Sequence, residues 1–158
     1  MLVDFLPKIL KEYNIKNILC PFDKKESNFV KILSKDFNII NGHIDENKDF
    51  FDEWYKDLDF DIIVSNPPFS RKMDILRLCL ERDYKFMLIL NLMCLNHQEI
   101  GNILSKFDKI GLIIPDKKVS YDGNTCSFCS AYITNLFNKN IFINLPHNNS
   151  RKFYNPEN

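Results

Sequence analysis

A chain of 158 residues, 45% of them hydrophobic and 14 of them phenylalanine, has the length and apolar content of one globular domain. Its 21 Lys+Arg stand against 21 Asp+Glu, so net charge lacks the basic excess that usually marks a stand-alone duplex-DNA binder. No run approaches ~18 consecutive apolar residues, which excludes a membrane-spanning helix, and Met1-Leu2-Val3-Asp4-Phe5 indicates no signal peptide.

In chain order, Leu2, Leu6, Ile9, Leu10 and Tyr13 form a helical stripe, with Pro7 suited to a first turn that begins near Asp4 or Phe5. Asn17 to Cys20 reads as a short buried strand ended by Pro21. Ser27 offers an N-cap for a helix carrying Phe29, Val30, Ile32 and Leu33. Phe37 to Ile40 makes a second strand, followed by Asn41-Gly42, an acidic stretch through Asp49 and an aromatic cluster of Phe50, Phe51, Trp54 and Tyr55. The clearest strand, Asp61 to Ser65, runs directly into Asn66-Pro67-Pro68-Phe69. Ser70 is placed to cap a helix through about Glu81, and Lys85 to Leu92 is another strand. Asn96 and Glu99 have capping-box spacing ahead of a helix carrying Ile100, Ile103, Leu104 and Phe107. Ile110 to Ile114 is a strand stopped by Pro115. Cys126 to Leu136 and Ile141 to Leu145 read as a closing antiparallel hairpin across Asn138-Lys139-Asn140, and the polar tail begins at His147. Alternating strands and helices predict a doubly wound, mostly parallel α/β sheet in a single domain over 1–146.

Five cysteines, three of them (Cys20, Cys79, Cys94) inside apolar runs, suggest a reduced cytoplasmic protein. Cys126 and Cys129 form a single CxxC with no second pair to complete a zinc site. His43, His97 and His147 are isolated, and no metal is assigned. The abundance of Lys, Asn, Ile and Phe suggests AT-rich coding, as in a low-GC bacterium or its phage.

In an open α/β sheet, ligands bind beyond the carboxyl ends of the strands, near the switch in strand order. Three segments occupy such places: Cys20-Pro21-Phe22-Asp23, the loop from Gly42 to Phe51, and Asn66-Pro67-Pro68-Phe69. In the last, two prolines fix the backbone and remove two N–H donors, Asn66 adds a side-chain acceptor and Phe69 a flat apolar face. That set suits an aryl amine, whose lone pair is delocalised into its ring. The Asn66 side chain and the Pro67 carbonyl, gripping two N–H bonds, favour a pyramidal nitrogen with an available lone pair. A base stacked on Phe69 gains ~1–3 kcal/mol by analogy with aromatic platforms for single strands.

The run DIIVSNPPF, Asp61 to Phe69, resembles the catalytic motif of class I amino-methyltransferases. With CPFDKKESNFVKIL, KDFFDEW, SNPPFSRK and CSFCSAYITNLF, the region from Ile18 to Phe137 is similar to small phage and prophage DNA N6-adenine methyltransferases. The resemblance implies a Rossmann-like fold, S-adenosyl-L-methionine as cofactor, and methylation of an exocyclic amino group, N6 of adenine in DNA. It implies that Pro21, Phe22 and Asp23 line the cofactor pocket, that Asp49 and Phe50 contact the cofactor adenine, and that Asp45 meets the ribose hydroxyls. It also sets Phe128 and Tyr132 in the strand that walls the target-base pocket.

Each of these residues has a plainer reading. Asp49-Phe50-Phe51 can start a helix or fill a core, Asp23 can be an N-terminal helix charge, and Asp45 can be simply solvated. Phe128 and Tyr132 share one strand face and can be core. Cys20-Pro21-Phe22-Asp23-Lys24 lacks the glycine of most methyltransferases, and no separate recognition domain follows Phe137. RNA or single-stranded DNA, a homodimer and a recognition partner therefore all stay open. So do a protein glutamine amide as acceptor and a non-catalytic methyltransferase-like module that binds a nucleotide or protein, such as a phage counter-defence factor.

Overall fold

The apolar runs become the strands of one seven-stranded sheet in the computed structural model, which describes residues 2–121, 124–125 and 129–146. Strands β1 (Asn17–Cys20), β2 (Asn38–Asn41), β3 (Ile62–Ser65) and β4 (Phe86–Asn91) are mutually parallel. Beyond them lie β5 (Gly111–Pro115), β8 (Ser130–Thr134) and β9 (Asn140–Ile143), in the spatial order β2-β1-β3-β4-β8-β5-β9. A separate two-residue ladder pairs β6 (Ser120–Tyr121) with β7 (Asn124–Thr125).

Side chains alternate along the strands, and each face meets its own helices. Ile18, Cys20, Ile62, Val64, Met87 and Ile89 join Leu6, Ile9 and Leu10 of α1 (Leu6–Glu12) and Val30 and Leu33 of α2 (Asn28–Leu33). Leu19, Ile63, Leu88 and Leu90 face the other way, onto Ile75, Leu76 and Cys79 of α3 (Lys72–Glu81) and Ile100, Ile103 and Leu104 of α4 (Gln98–Leu104). These two packed layers around a mostly parallel sheet are the doubly wound architecture expected from the alternation of elements.

Three local expectations are corrected. The last two strands do not form a hairpin, because β5 lies between them: β8 is antiparallel to β4 and β5, and β9 is parallel to β5. Gly111 permits this path. A Cβ there would meet the Phe137 ring at 2.4 Å and the Lys139 carbonyl at 2.7 Å, so the chain crosses closely over the start of β5 to reach its far side. Ser70 does not cap α3; it lies in a 3-10 turn, Phe69–Arg71, and no side chain caps that helix. Asn96 ends a 3-10 segment, Leu92–Asn96, which leaves His97 at the N-cap of α4 and the capping box unformed. Ser27 does cap α2, its hydroxyl accepting from the Val30 N–H at 3.2 Å.

Side-chain clamps tie neighbouring strands together at their ends. The Asp61 carboxylate accepts from the N–H groups of Lys16 (2.7 Å) and Asn17 (2.8 Å), tying the start of β1 to that of β3. Asn135 accepts from the Phe86 N–H (2.8 Å) and donates to the Tyr84 carbonyl (2.9 Å), setting the start of β4. Cys126, Phe128 and the tail from His147 lie outside the described residues.

Candidate active site at the switch in strand order

The chain leaves β1 for β2 on one side and returns to β3 on the other, so the order reverses at the carboxyl ends of β1 and β3. A cavity of about 310 Å³ opens there, lined by Pro21, Phe22, His43, Ile44, Asp49, Phe50, Phe51, Asn66, Pro68 and Arg71. Its size is at the lower end of the usual range for small-molecule pockets, about 300–1,000 Å³.

The wall begins with Phe50, which is 2% exposed. Its ring is stacked against Tyr55 (5.2 Å between centroids, 18° between planes) and tilted against Phe22 (5.1 Å). The Tyr55 hydroxyl donates to the Phe50 carbonyl at 3.0 Å, so the backbone as well as the ring is held. Asp49 caps the 3-10 turn Phe50–Asp52, its Oδ1 accepting from the Phe51 N–H at 3.0 Å. Among the described residues Oδ2 has no partner, which leaves one carboxylate oxygen available at the cavity.

Asn66 stands exposed at the end of β3, and among the described residues its amide makes no hydrogen bond. Pro67 is buried. The following turn is closed by the Pro68 carbonyl, which accepts from the Arg71 N–H at 3.1 Å, so the Pro67 carbonyl is not the one consumed. Phe69 is 43% exposed beside this turn and is not a lining residue of the cavity.

The remaining expected residues take other positions. Asp23 is 8% exposed, and its carboxylate accepts a hydrogen bond from Ser65, the residue before Asn66. Burial pushes this carboxyl up from its ordinary 3.8, opposed by hydrogen bonds from Ser65 and Ser27 and by the nearby His43. Asp23 thus joins the β1 turn to the end of β3 and is absent from the cavity lining. Asp45 is turned outward onto Lys24 (2.6 Å), whose contact holds its carboxyl below the usual value. Tyr132 lies in β8 as expected but takes the plainer of its two readings: it has no exposed surface and packs in the α1/α2 core, its ring edge-on to Phe29 at 6.5 Å.

Arg71 lines the cavity without having been singled out from the sequence, and His43, Ile44 and Phe51 fall in the loop from Gly42 to Phe51 that the sequence marks as a segment but not residue by residue. The available signal was positional: His43 and Ile44 directly follow the Asn41-Gly42 turn after β2, Phe51 extends the acidic-aromatic run, and Arg71 follows the double proline by three residues.

No protein-family profile and no curated protein matches the sequence. Among solved structures, the chain superposes on a modification subunit assigned to a type I restriction enzyme of Vibrio vulnificus YJ016. The TM-score is 0.59 at 10% identity, with 95% of this chain and 47% of that one covered, so the chain spans about half of that subunit's length. A protein of Agrobacterium tumefaciens described as a predicted O-methyltransferase is matched over 99% of this chain and 92% of its own, at 10% identity. Its TM-score is 0.47. The first likeness is one of fold, and the fold is class I methyltransferase-like.

Proposed function

We propose that the chain is an S-adenosylmethionine-dependent methyltransferase acting on an exocyclic amino group, N6 of adenine in DNA. One observation carries the reading: Asn66 and Pro68, at the end of β3, share a cavity with Asp49 and Phe50. Asn66, one of the two proposed amine acceptors, thus opens on the same cavity as a carboxylate and an aromatic wall suited to a nucleoside, while Pro67 lies directly between the lining residues Asn66 and Pro68. The donor set fits the cofactor: Asp49 Oδ2 can accept from an adenine amine, and Phe22, Phe50 and Ile44 supply apolar contact. Bound there, the cofactor supplies an electrophilic methyl group on its sulfonium.

The protein's own part is positioning. Asn66 Oδ1 and the Pro67 carbonyl accept the two N–H bonds of the target amine and direct its lone pair, and Phe69 supplies a stacking face. Acceptors fixed in advance act most strongly where charge develops. A target base in a duplex must first leave the stack.

The test is titration calorimetry with S-adenosylmethionine and S-adenosylhomocysteine, followed by methyl transfer to DNA, RNA and protein acceptors. Asn66→Ala should bind cofactor as the parent does and lose transfer by about 10²-fold or more, the scale for deleting one such polar contact. Full activity of that variant sinks the mechanism. A folded protein with neither binding nor transfer points instead to the non-catalytic module, and transfer confined to a protein acceptor sinks the adenine assignment.

A further inference from the structure

At zero net charge, any affinity for a polyanion has to come from cations fixed at particular places. Arg71 is such a cation. Its guanidinium carbon lies 3.9 Å from the centroid of the Phe51 ring, and its Nε donates to Asp74 at 2.9 Å. Stacking and one ion pair therefore orient the group before any ligand arrives, while the side chain stays 48% exposed. Among the described residues its two terminal amino groups have no partner. Asp74 also faces Arg77 at 3.5 Å, and Arg77 in turn reaches Glu99 at 3.9 Å, so Arg71 shares its one carboxylate with a second cation.

The position matters as much as the charge. Arg71 lines the same cavity as Asn66 and stands at the start of α3, whose first-turn N–H groups receive no side-chain cap. Lys72 follows it directly. A guanidinium fork with two free donors, on the open side of a cavity and beside uncapped helix N–H groups, suits a tetrahedral dianionic or diester oxygen set. We propose that Arg71 forms a phosphate subsite beside Asn66, holding the backbone of a polynucleotide whose target base enters the cavity. The inference rests on the nucleic-acid reading above and narrows its substrate class to one that carries phosphodiesters next to the modified base.

Fluorescence anisotropy with a labelled, adenine-containing single-stranded oligodeoxynucleotide, measured over a range of salt concentrations, tests it without requiring catalysis. Arg71→Gln should weaken binding about five- to tenfold and reduce the slope of log K against log salt by about 0.7, the value for one phosphate contact on a single strand. S-adenosylhomocysteine affinity should fall by less than oligonucleotide affinity does in that variant, and its salt dependence should stay as in the parent. Arg71→Lys should keep the slope but lose part of the affinity, because lysine has no planar fork to stack on Phe51. An unchanged slope in Arg71→Gln overturns the proposal, as does failure of the parent protein to bind any oligonucleotide. A loss confined to S-adenosylhomocysteine also overturns it, since the anion held by Arg71 would then be the cofactor's carboxylate. If the oligonucleotide results hold and no methyl group is transferred, the subsite stands and the methyltransferase reading falls.

Discussion

Replacing Tyr55 with phenylalanine tests how the aromatic wall is held. Tyr55 is fully buried, stacked on Phe50, and donates to the Phe50 carbonyl at 3.0 Å. Loss of the hydroxyl does not orphan that carbonyl, because the Glu53 N–H also reaches it at 3.2 Å. The expected cost near neutral pH is therefore that of one ordinary hydrogen bond, about 0.5–1.5 kcal/mol. For a chain of this size that lowers the melting temperature by about 2–4 °C per kcal/mol. Burial, and next the neighbouring Tyr84, push the Tyr55 phenol above its ordinary 10.0. The folded state thus keeps a proton that the unfolded chain releases first as pH rises. Stability from this group is fully present below pH 10 and declines above it, by up to about 1.36 kcal/mol per pH unit. Tyr55→Phe lacks the group and escapes that decline, so its stability should overtake the parent's between about pH 10 and 11. Urea denaturation followed by far-ultraviolet circular dichroism from neutral to alkaline pH measures both effects. A parent-minus-variant difference that stays constant across the alkaline range refutes the shifted phenol. A loss above about 3 kcal/mol at neutral pH refutes the claim that Glu53 keeps the carbonyl paired.

Two further substitutions probe the neighbouring loops. A Cβ on Gly42 would lie 2.3 Å from Cζ2 of Trp54, so Gly42→Ala should displace the indole and cost about 1–3 kcal/mol. Trp54 is the chain's single tryptophan, and its emission should shift; unchanged emission and stability would show the contact is not made. Asp23→Asn keeps an acceptor for Ser65 but removes a buried acid whose carboxyl is pushed up. Because the folded state holds that proton longer than the unfolded chain, the Asp23 contribution fades as pH rises from about 4 through the raised value. The parent's melting temperature should fall relative to the variant's across that window, and a flat or rising difference would reject the assignment.

Most strands were legible because each is a continuous apolar run, and Asn17–Cys20 and Ile62–Ser65 differ little from their expected bounds. What period-two spacing could not supply was the face. It put Tyr132 on one side of a strand without saying that this side meets Phe29 and not the cavity. Nor could local pattern reveal that Gly111 lets residues 137–139 cross over β5, because that contact is between distant segments. The false caps at Ser70 and Asn96 have one cause: each lies within a 3-10 segment that moves the helix start on by a residue or more. At the cavity, the double proline stood out because the chemistry proposed for it is local. Arg71 did not, since the phosphate subsite proposed for it depends on Phe51 and Asp74 arriving beside it.

The lack of a glycine-rich turn after β1 changes how a ligand can be held. Such turns let a ligand approach the backbone closely. Here Pro21 and Phe22 line the cavity instead, with the Phe22 ring 5.1 Å from Phe50, so under the proposed function recognition falls to aromatic faces and to Asp49 Oδ2. The same turn carries Asp23, whose carboxylate holds Ser65. Ser65 is buried and directly precedes Asn66, so the segment lining the cavity from β1 is bonded to the segment that carries Asn66, the proposed amine acceptor. The two ends of the site are therefore coupled through one buried hydrogen bond. A change at Asp23 reaches Asn66 through Ser65 without touching the cavity, and should alter the geometry of the acceptor more than the apolar contacts of the ligand.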